Sequence, residues 1–177
     1  MAEKVRAAVL VPLFVEEDTR APHVVLTRRR SDLRRHAGEI SFPGGRKDPQ
    51  DPDLLDTALR EAEEEIGLPR AQVSLLGPLT PTSTFATGYL IHPFVGMIPA
   101  GQLWRLSPLE VDAVLELPLD ELRAGKTRTQ LERRGFTFET DAYIVGEHLI
   151  WGATARILEE LLERVQTESV DAPLSLR

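Results

Sequence analysis

The chain has 177 residues and a mass of 19.8 kDa, a length that suits one ordinary domain with a proper hydrophobic core. Its 42% hydrophobic and 28% charged residues are typical of a globular protein, and no apolar run approaches the roughly 20 residues of a membrane-spanning helix. The net charge of −7 disfavours a general nucleic-acid binder, and the absence of cysteine excludes disulfides, thiolate nucleophiles and zinc–thiolate sites.

The N-terminal segment runs into a strand-like sequence broken by Pro12 and lacks the small-residue cleavage site of a signal peptide. We therefore expect an intracellular, cytoplasmic protein that does not insert into a membrane. We also expect a single domain over 1–177, with its core at about 5–165 and a frayed tail at about 168–177.

Segments rich in valine and leucine, separated by turn-like sequences, predict most of the secondary structure as strands. In chain order the predicted strands are 5–15, 23–29, 38–42, 72–79, 88–99, 111–117 and 128–145. Apolar residues at helical spacing predict two amphipathic helices, one over 54–66 and one within "WGATARILEELLERV" at 151–165. Strands outnumber helices and the order is mixed, which favours an α+β sandwich with a sheet between helices.

The first predicted helix has recognisable end signals. Asp51 or Asp53 can cap its start, and Gly67 follows its last apolar residue. The helix comes directly after the turn-rich stretch "FPGGRKDPQDPD" at 42–53.

Charge is distributed unevenly along the chain. Residues 28–36, "RRRSDLRRH", contain five arginines, a histidine and a single acid, whereas acidic side chains dominate 48–65. Aromatic residues are not interleaved with the arginines, so the stacking platform typical of single-stranded nucleic-acid binding is missing. Nucleic acid is therefore a weak candidate partner.

The acidic helix contains "LREAEEEIGL", in which Glu61, Glu64 and Glu65 share one side at helical spacing. Arg60 precedes Glu64 by four residues, which suits a hydrogen-bonded ion pair. Converging carboxylates suit a hard divalent cation such as Mg²⁺, to which the Gly45 carbonyl can add an oxygen ligand. The alternative is a solvated acidic face, which is the commoner role of glutamate-rich helices.

The stretch from "GG" at 44–45 through "REAEEEIGL" resembles the Nudix box, the signature of hydrolases that cleave a nucleoside diphosphate linked to another group. The second half matches the pattern Arg-Glu-apolar-any-Glu-Glu-any-Gly-apolar at every fixed position. In the first half, fourteen residues separate Gly45 from Arg60 where the general box has thirteen, and Asp51 stands where a glutamate is expected.

The longer spacing is similar to that of one branch, the coenzyme A diphosphatases. The upstream stretch "VLTRRRSDLRRHAGEISFPGG" also resembles that branch, with matches at Thr27, Arg29, Arg34, Gly38 and 42–45. Arg30 and Glu39 depart from the serine and glutamine expected there. The resemblance covers about residues 5–165 and implies a Nudix-like α/β/α sandwich with a mixed sheet between helices.

The resemblance implies Mg²⁺- or Mn²⁺-dependent hydrolysis of coenzyme A, or of its derivatives, to 3′,5′-ADP and 4′-phosphopantetheine. Glu61 and Glu65 are the expected main metal ligands, and Gly45 supplies a further oxygen. Glu64, held by Arg60, is either another ligand or the general base, and Glu110 is a fallback base.

Arginine forks recognise phosphate oxygens, so Arg29 and Arg34 are the expected substrate contacts, together with Arg35. His36 is a more marginal candidate, better suited to a structural hydrogen bond than to base catalysis. Arg28 and Arg30 are expected to be solvated or to balance the acidic helix.

Three alternatives remain open at this stage. A Nudix pyrophosphatase of other specificity would cleave ADP-ribose, NADH or a nucleoside triphosphate on the same helix. A catalytically silent module would bind a nucleotide and regulate a partner, and a purely structural acidic helix would bind no metal. The preferred metal, the number of ions, the form of coenzyme A and the oligomeric state stay undecided, although the predicted strands are compatible with a homodimer.

Overall fold

The computed structural model describes residues 4–32, 38–85, 87–133, 135–166 and 174–177. The strands are β1 (Val5–Val15), β2 (Pro22–Arg29), β3 (Ile40–Ser41), β4 (Gly44–Arg46), β5 (Ser74–Pro78), β6 (Thr82–Ser83), β7 (Tyr89–Met97), β8 (Val111–Pro118), β9 (Lys126–Arg133), β10 (Phe136–Val145), β11 (His148–Trp151), β12 (Val165–Gln166) and β13 (Ser175–Leu176). The helices are α1 (Leu54–Ile66), α2 (Leu119–Ala124) and α3 (Gly152–Arg164).

β1 is the centre of a mixed sheet to which eight of the described strands belong. One edge of β1 pairs in parallel with β7, from Val5 opposite Tyr89 to Leu13 opposite Met97. The other edge is shared by two antiparallel partners, β4 opposite residues 7–9 and β2 opposite residues 13–15. This sharing brings the short strand β4 beside the middle of the sheet, where α1 crosses it.

Alternation along β1 divides the hydrophobic core into two layers, because successive side chains of a strand point to opposite faces. Ala8, Leu10 and Phe14 pack with α1 on one face. Val11 and Leu13 belong to the cluster on the other face, which includes apolar side chains of α2, α3, β10 and β11. The predicted α+β sandwich, with a mixed sheet between helices, is confirmed.

α1 lies close to the sheet because its inward face is small. Ala58 and Ala62 are fully buried between the helix and the strands. Asp53 caps the start of the helix, where its Oδ1 accepts the Asp56 N–H at 2.8 Å. Gly67 ends the helix in the left-handed region at φ 70°, a conformation that favours glycine. Of the two predicted capping residues, Asp53 is therefore the cap.

A separate three-stranded antiparallel sheet, in the order β11–β10–β9, packs with α3 on the face opposite α1. The sequence predicted one strand-like segment over 128–145, and the structure divides it into two strands at a turn that includes Gly135. The short elements β4, α2 and β11 were missed, since six residues or fewer give little periodic signal.

Of the tail expected to be frayed at about 168–177, the structure describes residues 174–177. Residues 167–173 lie outside the described residues. Leu174 is buried, and Ser175–Leu176 pairs with Val165–Gln166. Among the helices described, none combines the length and apolar character needed to cross a membrane.

Candidate active site

The glycine pair at 44–45 permits a close approach between β4 and α1. A Cβ atom placed on Gly45 would lie 2.4 Å from Oε1 of Glu61, far inside van der Waals contact. A Cβ on Gly44 would lie 2.3 Å from the Ala8 carbonyl oxygen of β1. Glycine is therefore required at 44, where the clash is with backbone, and a side chain at 45 would displace the Glu61 carboxylate.

The hydrogen bonds that flank the pair show how its polar groups are directed. Leu10 N donates to the Pro43 carbonyl at 2.9 Å, and Lys47 N donates to the Arg6 carbonyl at 3.1 Å. In an antiparallel ladder, hydrogen-bonded pairs alternate with non-hydrogen-bonded pairs. Between the two flanking bonds, Ala8–Gly45 is therefore a hydrogen-bonded pair, and the backbone polar groups of Gly44 face away from β1. The Gly44 N–H is accordingly directed toward Glu65, where it opposes the rise in the pKa of that carboxyl.

Arg60 connects the turn-rich loop to the acidic helix. Its Nε and Nη2 each donate to one oxygen of Asp51 at 2.9 Å, which makes a bidentate pair. Its Nη1 donates to Glu61 at 3.1 Å and to Glu64 at 3.2 Å. The predicted Arg60–Glu64 ion pair is present, and one guanidinium serves three carboxylates.

Asp51 is the residue whose role the sequence did not reveal. Its Oδ2 also accepts from the Thr57 hydroxyl at 2.8 Å and from the Asp48 N–H at 2.9 Å. The hydrogen bonds from Arg60, followed by those from Asp48 and Thr57, hold the pKa of the buried Asp51 carboxyl well below its usual range. Asp51 is thus a permanent anion that fixes Arg60. Its place in the Nudix-like pattern, where a glutamate was expected, was the available signal.

Glu61 and Glu65 form a pair of carboxylates that burial makes costly to ionise. Burial, followed by the charges of Glu61 and Glu110, raises the pKa of Glu65 from 4.5 to about 8. Burial also raises the pKa of Glu61, although Arg60 opposes that rise. Only 5% of Glu65 is exposed, so little water reaches this carboxylate to stabilise a second negative charge.

Glu110 is placed beside this pair by a loop that docks on the end of α1. Ser107 N donates to the Glu65 carbonyl at 2.8 Å, and Glu110 N donates to the Ser107 carbonyl at 3.1 Å. The Glu110 side chain is exposed, and its charge contributes to the raised pKa values of Glu61 and Glu65. The fallback base proposed from sequence therefore faces the same site.

The described arginines of the basic block contact different parts of the molecule. Arg29, at the end of β2, is close enough to Glu65 for its charge to lower the pKa of that carboxyl, and its buried Nε has no hydrogen-bond partner among the described residues. Arg28 pairs with Asp112 at 2.8 Å, and Arg30 pairs with Asp32. These two arginines form ion pairs with acids outside the acidic helix that they were expected to balance. Arg34, Arg35 and His36 lie outside the described residues.

The three predicted carboxylates of α1 differ in their exposure. The Glu61 carboxylate lies against Gly45 of β4 and its charge acts on the buried Glu65, whereas the Glu64 side chain is 59% exposed and is held by Arg60. Within the described ranges, no three carboxylate or imidazole residues are arranged to hold a metal ion by themselves.

Two carboxylates and a backbone carbonyl nevertheless suit Mg²⁺ or Mn²⁺, because such ions take one or two protein carboxylates and complete their shell with water and substrate phosphates. The mutual repulsion of Glu61 and Glu65 is the kind of strain that a divalent cation relieves. In the β1–β4 ladder the Gly45 carbonyl faces β1, so the Gly44 carbonyl is the one on the helix side.

Comparison with known proteins agrees with this geometry. A family model described as NUDIX domain matches residues 4–138, more than half of the chain. The chain belongs to the Nudix family. Nudix hydrolases act on nucleoside diphosphate derivatives by cleaving a phosphoric anhydride, and they generally use divalent metals such as Mg²⁺ or Mn²⁺.

Similar sequences support the family assignment. The chain is 42% identical over 162 residues to the "Uncharacterized Nudix hydrolase NudL" of Photorhabdus laumondii. The aligned region covers 90% of this chain and 84% of that protein. The protein of the same name from Yersinia pestis is 39% identical over 162 residues, covering 90% and 79%.

Two solved structures are similar in fold alone. A MutT/nudix family protein from Enterococcus faecalis has a TM-score of 0.61 at 14% identity, covering 89% of this chain and 60% of that one. The NUDIX domain of Shewanella oneidensis NrtR, complexed with ADP ribose, has a TM-score of 0.53 at 19% identity, covering 70% and 79%.

The raised pKa of Glu65 predicts an unusual pH dependence of stability in metal-free protein. Between about pH 5 and 8 the native state keeps a proton on Glu65 that the unfolded chain has released, so the free energy of unfolding falls as pH rises. Glu65→Gln removes this effect. We expect urea denaturation in chelator to give a flatter pH profile for the variant, with a gain of about 1–3 kcal/mol near pH 8.

Glu63→Gln is the matched control for this experiment, because Glu63 is exposed on the same helix. Its pH profile should follow that of the wild type. Identical profiles for the wild type and Glu65→Gln would show that burial imposes no such cost on Glu65.

Proposed function

We propose that this Nudix hydrolase cleaves the diphosphate linkage of coenzyme A, or of its derivatives, to give 3′,5′-ADP and 4′-phosphopantetheine. The observation that carries the proposal is Arg29, a half-buried cation whose buried Nε lacks a described hydrogen-bond partner and whose charge acts on Glu65, at the start of the arginine block 28–36. Coenzyme A has more phosphate charge than most nucleoside diphosphate derivatives, since its adenosine bears a 3′-phosphate. A site with additional arginines matches that charge.

In this proposal Glu61 and Glu65 hold the divalent cation, with a backbone carbonyl of the glycine pair as a further ligand. The sequence pointed to the Gly45 carbonyl, and the ladder register favours that of Gly44. The bound cation would neutralise diphosphate oxygens and lower the pKa of a coordinated water. Glu64 remains available either as a further ligand or as a base.

The residues of the chain then position the reacting groups. Arg29 binds a phosphate oxygen of the substrate and offsets the charge that develops there in the transition state. Water attacks one phosphorus, its oxygen forms the new P–O bond, and the bridging P–O bond breaks. Glu64 or Glu110 accepts the proton of the water, since both side chains are reachable from solvent.

The position of Arg29 bears on which phosphate it contacts. A side chain whose charge acts on Glu65 lies beside the metal ligands, where the reacting diphosphate must sit. Arg29 is therefore assigned to the diphosphate. Arg34 and Arg35 remain the candidates for the 3′-phosphate.

A substrate panel tests the proposal directly. Coenzyme A, 3′-dephospho-coenzyme A, ADP-ribose, NADH and a nucleoside triphosphate are incubated separately with Mg²⁺ or Mn²⁺, and products are identified by mass. We expect 3′,5′-ADP from coenzyme A to appear fastest and to vanish with chelator. Faster cleavage of another substrate would assign this chain to a different Nudix specificity, and no cleavage of any would favour a nucleotide-binding module.

The role of Arg29 is tested by comparison with its neighbour on β2. Arg29→Ala should lower kcat/KM by about ten- to a hundredfold on both coenzyme A and 3′-dephospho-coenzyme A, because the diphosphate is common to both. Arg28→Ala is the control, since Arg28 pairs with Asp112 and lines a pocket with Arg133 and Trp151. A loss confined to coenzyme A would instead place Arg29 on the 3′-phosphate.

A further inference from the structure

β9 is an edge strand with an open side. In the part of the chain that the structure describes it pairs only with β10, in one continuous register from Lys126 opposite Tyr143 to Arg133 opposite Phe136. Its sequence, "KTRTQLER", has no proline, and the ladder has no bulge. Proline and bulges are common devices that keep an edge strand from pairing with another chain.

The hydrogen-bond pattern of the hairpin identifies the groups that face outward. Ile144 N donates to the Gly125 carbonyl at 2.9 Å, so this opposed pair is of the hydrogen-bonded kind. Hydrogen-bonded and non-hydrogen-bonded pairs alternate, which directs the backbone polar groups of every second residue away from β10. These outward residues are Lys126, Arg128, Gln130 and Glu132, and all four are exposed.

This pattern restricts how two copies of β9 can pair. In an antiparallel pair only outward-facing residues can form hydrogen-bonded pairs with each other. Pairing centred on Gln130 places Arg128 opposite Glu132 of the second copy, and Glu132 opposite Arg128 of that copy. Pairing centred on Arg128 would instead oppose two arginines.

A register centred on Thr129 would use Lys126 against Glu132. Lys126 is already engaged with Glu159 of α3, however, whereas Arg128 is 69% exposed in a longer contact of 3.4 Å with Glu139. Arg128 is therefore the freer cation. The charge pattern favours the register centred on Gln130.

Side chains on the other face of the hairpin also meet across the junction. Leu131 lies opposite Phe138 in the β9–β10 ladder, and Phe136 at the tip of the hairpin is 76% exposed. Self-pairing about Gln130 brings Leu131 of one copy against Thr129 of the other as a close non-hydrogen-bonded pair. Thr129 lies opposite Thr140 in its own hairpin, so Leu131 gains a contact with the Thr129 methyl group of the second copy.

We propose that two copies of this chain associate through antiparallel pairing of their β9 strands about Gln130. The two three-stranded sheets become one six-stranded sheet, with about six backbone hydrogen bonds across the twofold axis. Backbone pairing supplies the contact and the Arg128–Glu132 pairs select the register. The proposal is independent of the substrate, because β9 is separate from the α1 carboxylates.

Sedimentation velocity over a range of micromolar concentrations tests the proposal. The wild type should approach twice the 19.8 kDa chain mass as concentration rises. Glu132→Arg opposes like charges at two symmetric positions and should weaken the dimer at least about tenfold. Arg128→Glu should act likewise, and the double variant with both changes should restore the dimer.

Glu17→Arg is the matched control, since it makes the same charge change in an exposed turn remote in sequence from β9. It should leave the dimer unchanged. Gln130→Pro removes an N–H that the hairpin itself does not use and should give a folded monomer, as judged by circular dichroism. A monomer at every wild-type concentration, or a dimer indifferent to Glu132→Arg, would overturn the proposal.

Discussion

The Arg60 guanidinium, shared among three carboxylates, is the interaction on which the arrangement of the site depends. Its bidentate contact with Asp51 at 2.9 Å joins the loop after β4 to the helix α1. Its third nitrogen, Nη1, donates hydrogen bonds to Glu61 and Glu64. Because Asp51 is buried, loss of Arg60 would leave its carboxylate without an ion-pair partner, which typically costs about 3–5 kcal/mol in a buried pair. The loop, the helix and two of the acidic side chains are thus fixed by one cation.

Crowding of glutamates on α1 becomes intelligible in this setting. Gly45 lets β4 lie against Glu61, and the packing of Ala58 and Ala62 keeps the helix close to the sheet. Glu65 is consequently buried beside a second carboxylate, and its pKa is raised to about 8. Such a cost is typical of functional sites. A divalent cation bound by both carboxylates is the function that we propose for this pair.

The main elements and the acidic helix were predictable because their periodicity is long and regular. The Arg60–Glu64 pair follows from a spacing of four residues, and it is present. The Asp51–Arg60 pair was not predictable in the same way, since the partners are nine positions apart and the intervening loop determines their approach. The division between a buried Glu65 and an exposed Glu64 depends on how β4 and the 105–110 loop pack on the helix, which helical spacing alone does not reveal.

Binding of Mn²⁺ to metal-free protein, followed by electron paramagnetic resonance, tests the central claim most directly. The account predicts saturable binding by the wild type, release of protons on binding above the level of a buffer control, and loss of binding in Glu65→Gln. Glu63→Gln should bind as the wild type does. Unchanged Mn²⁺ affinity in Glu65→Gln would contradict the account, because the buried carboxylate pair would then not be the metal site.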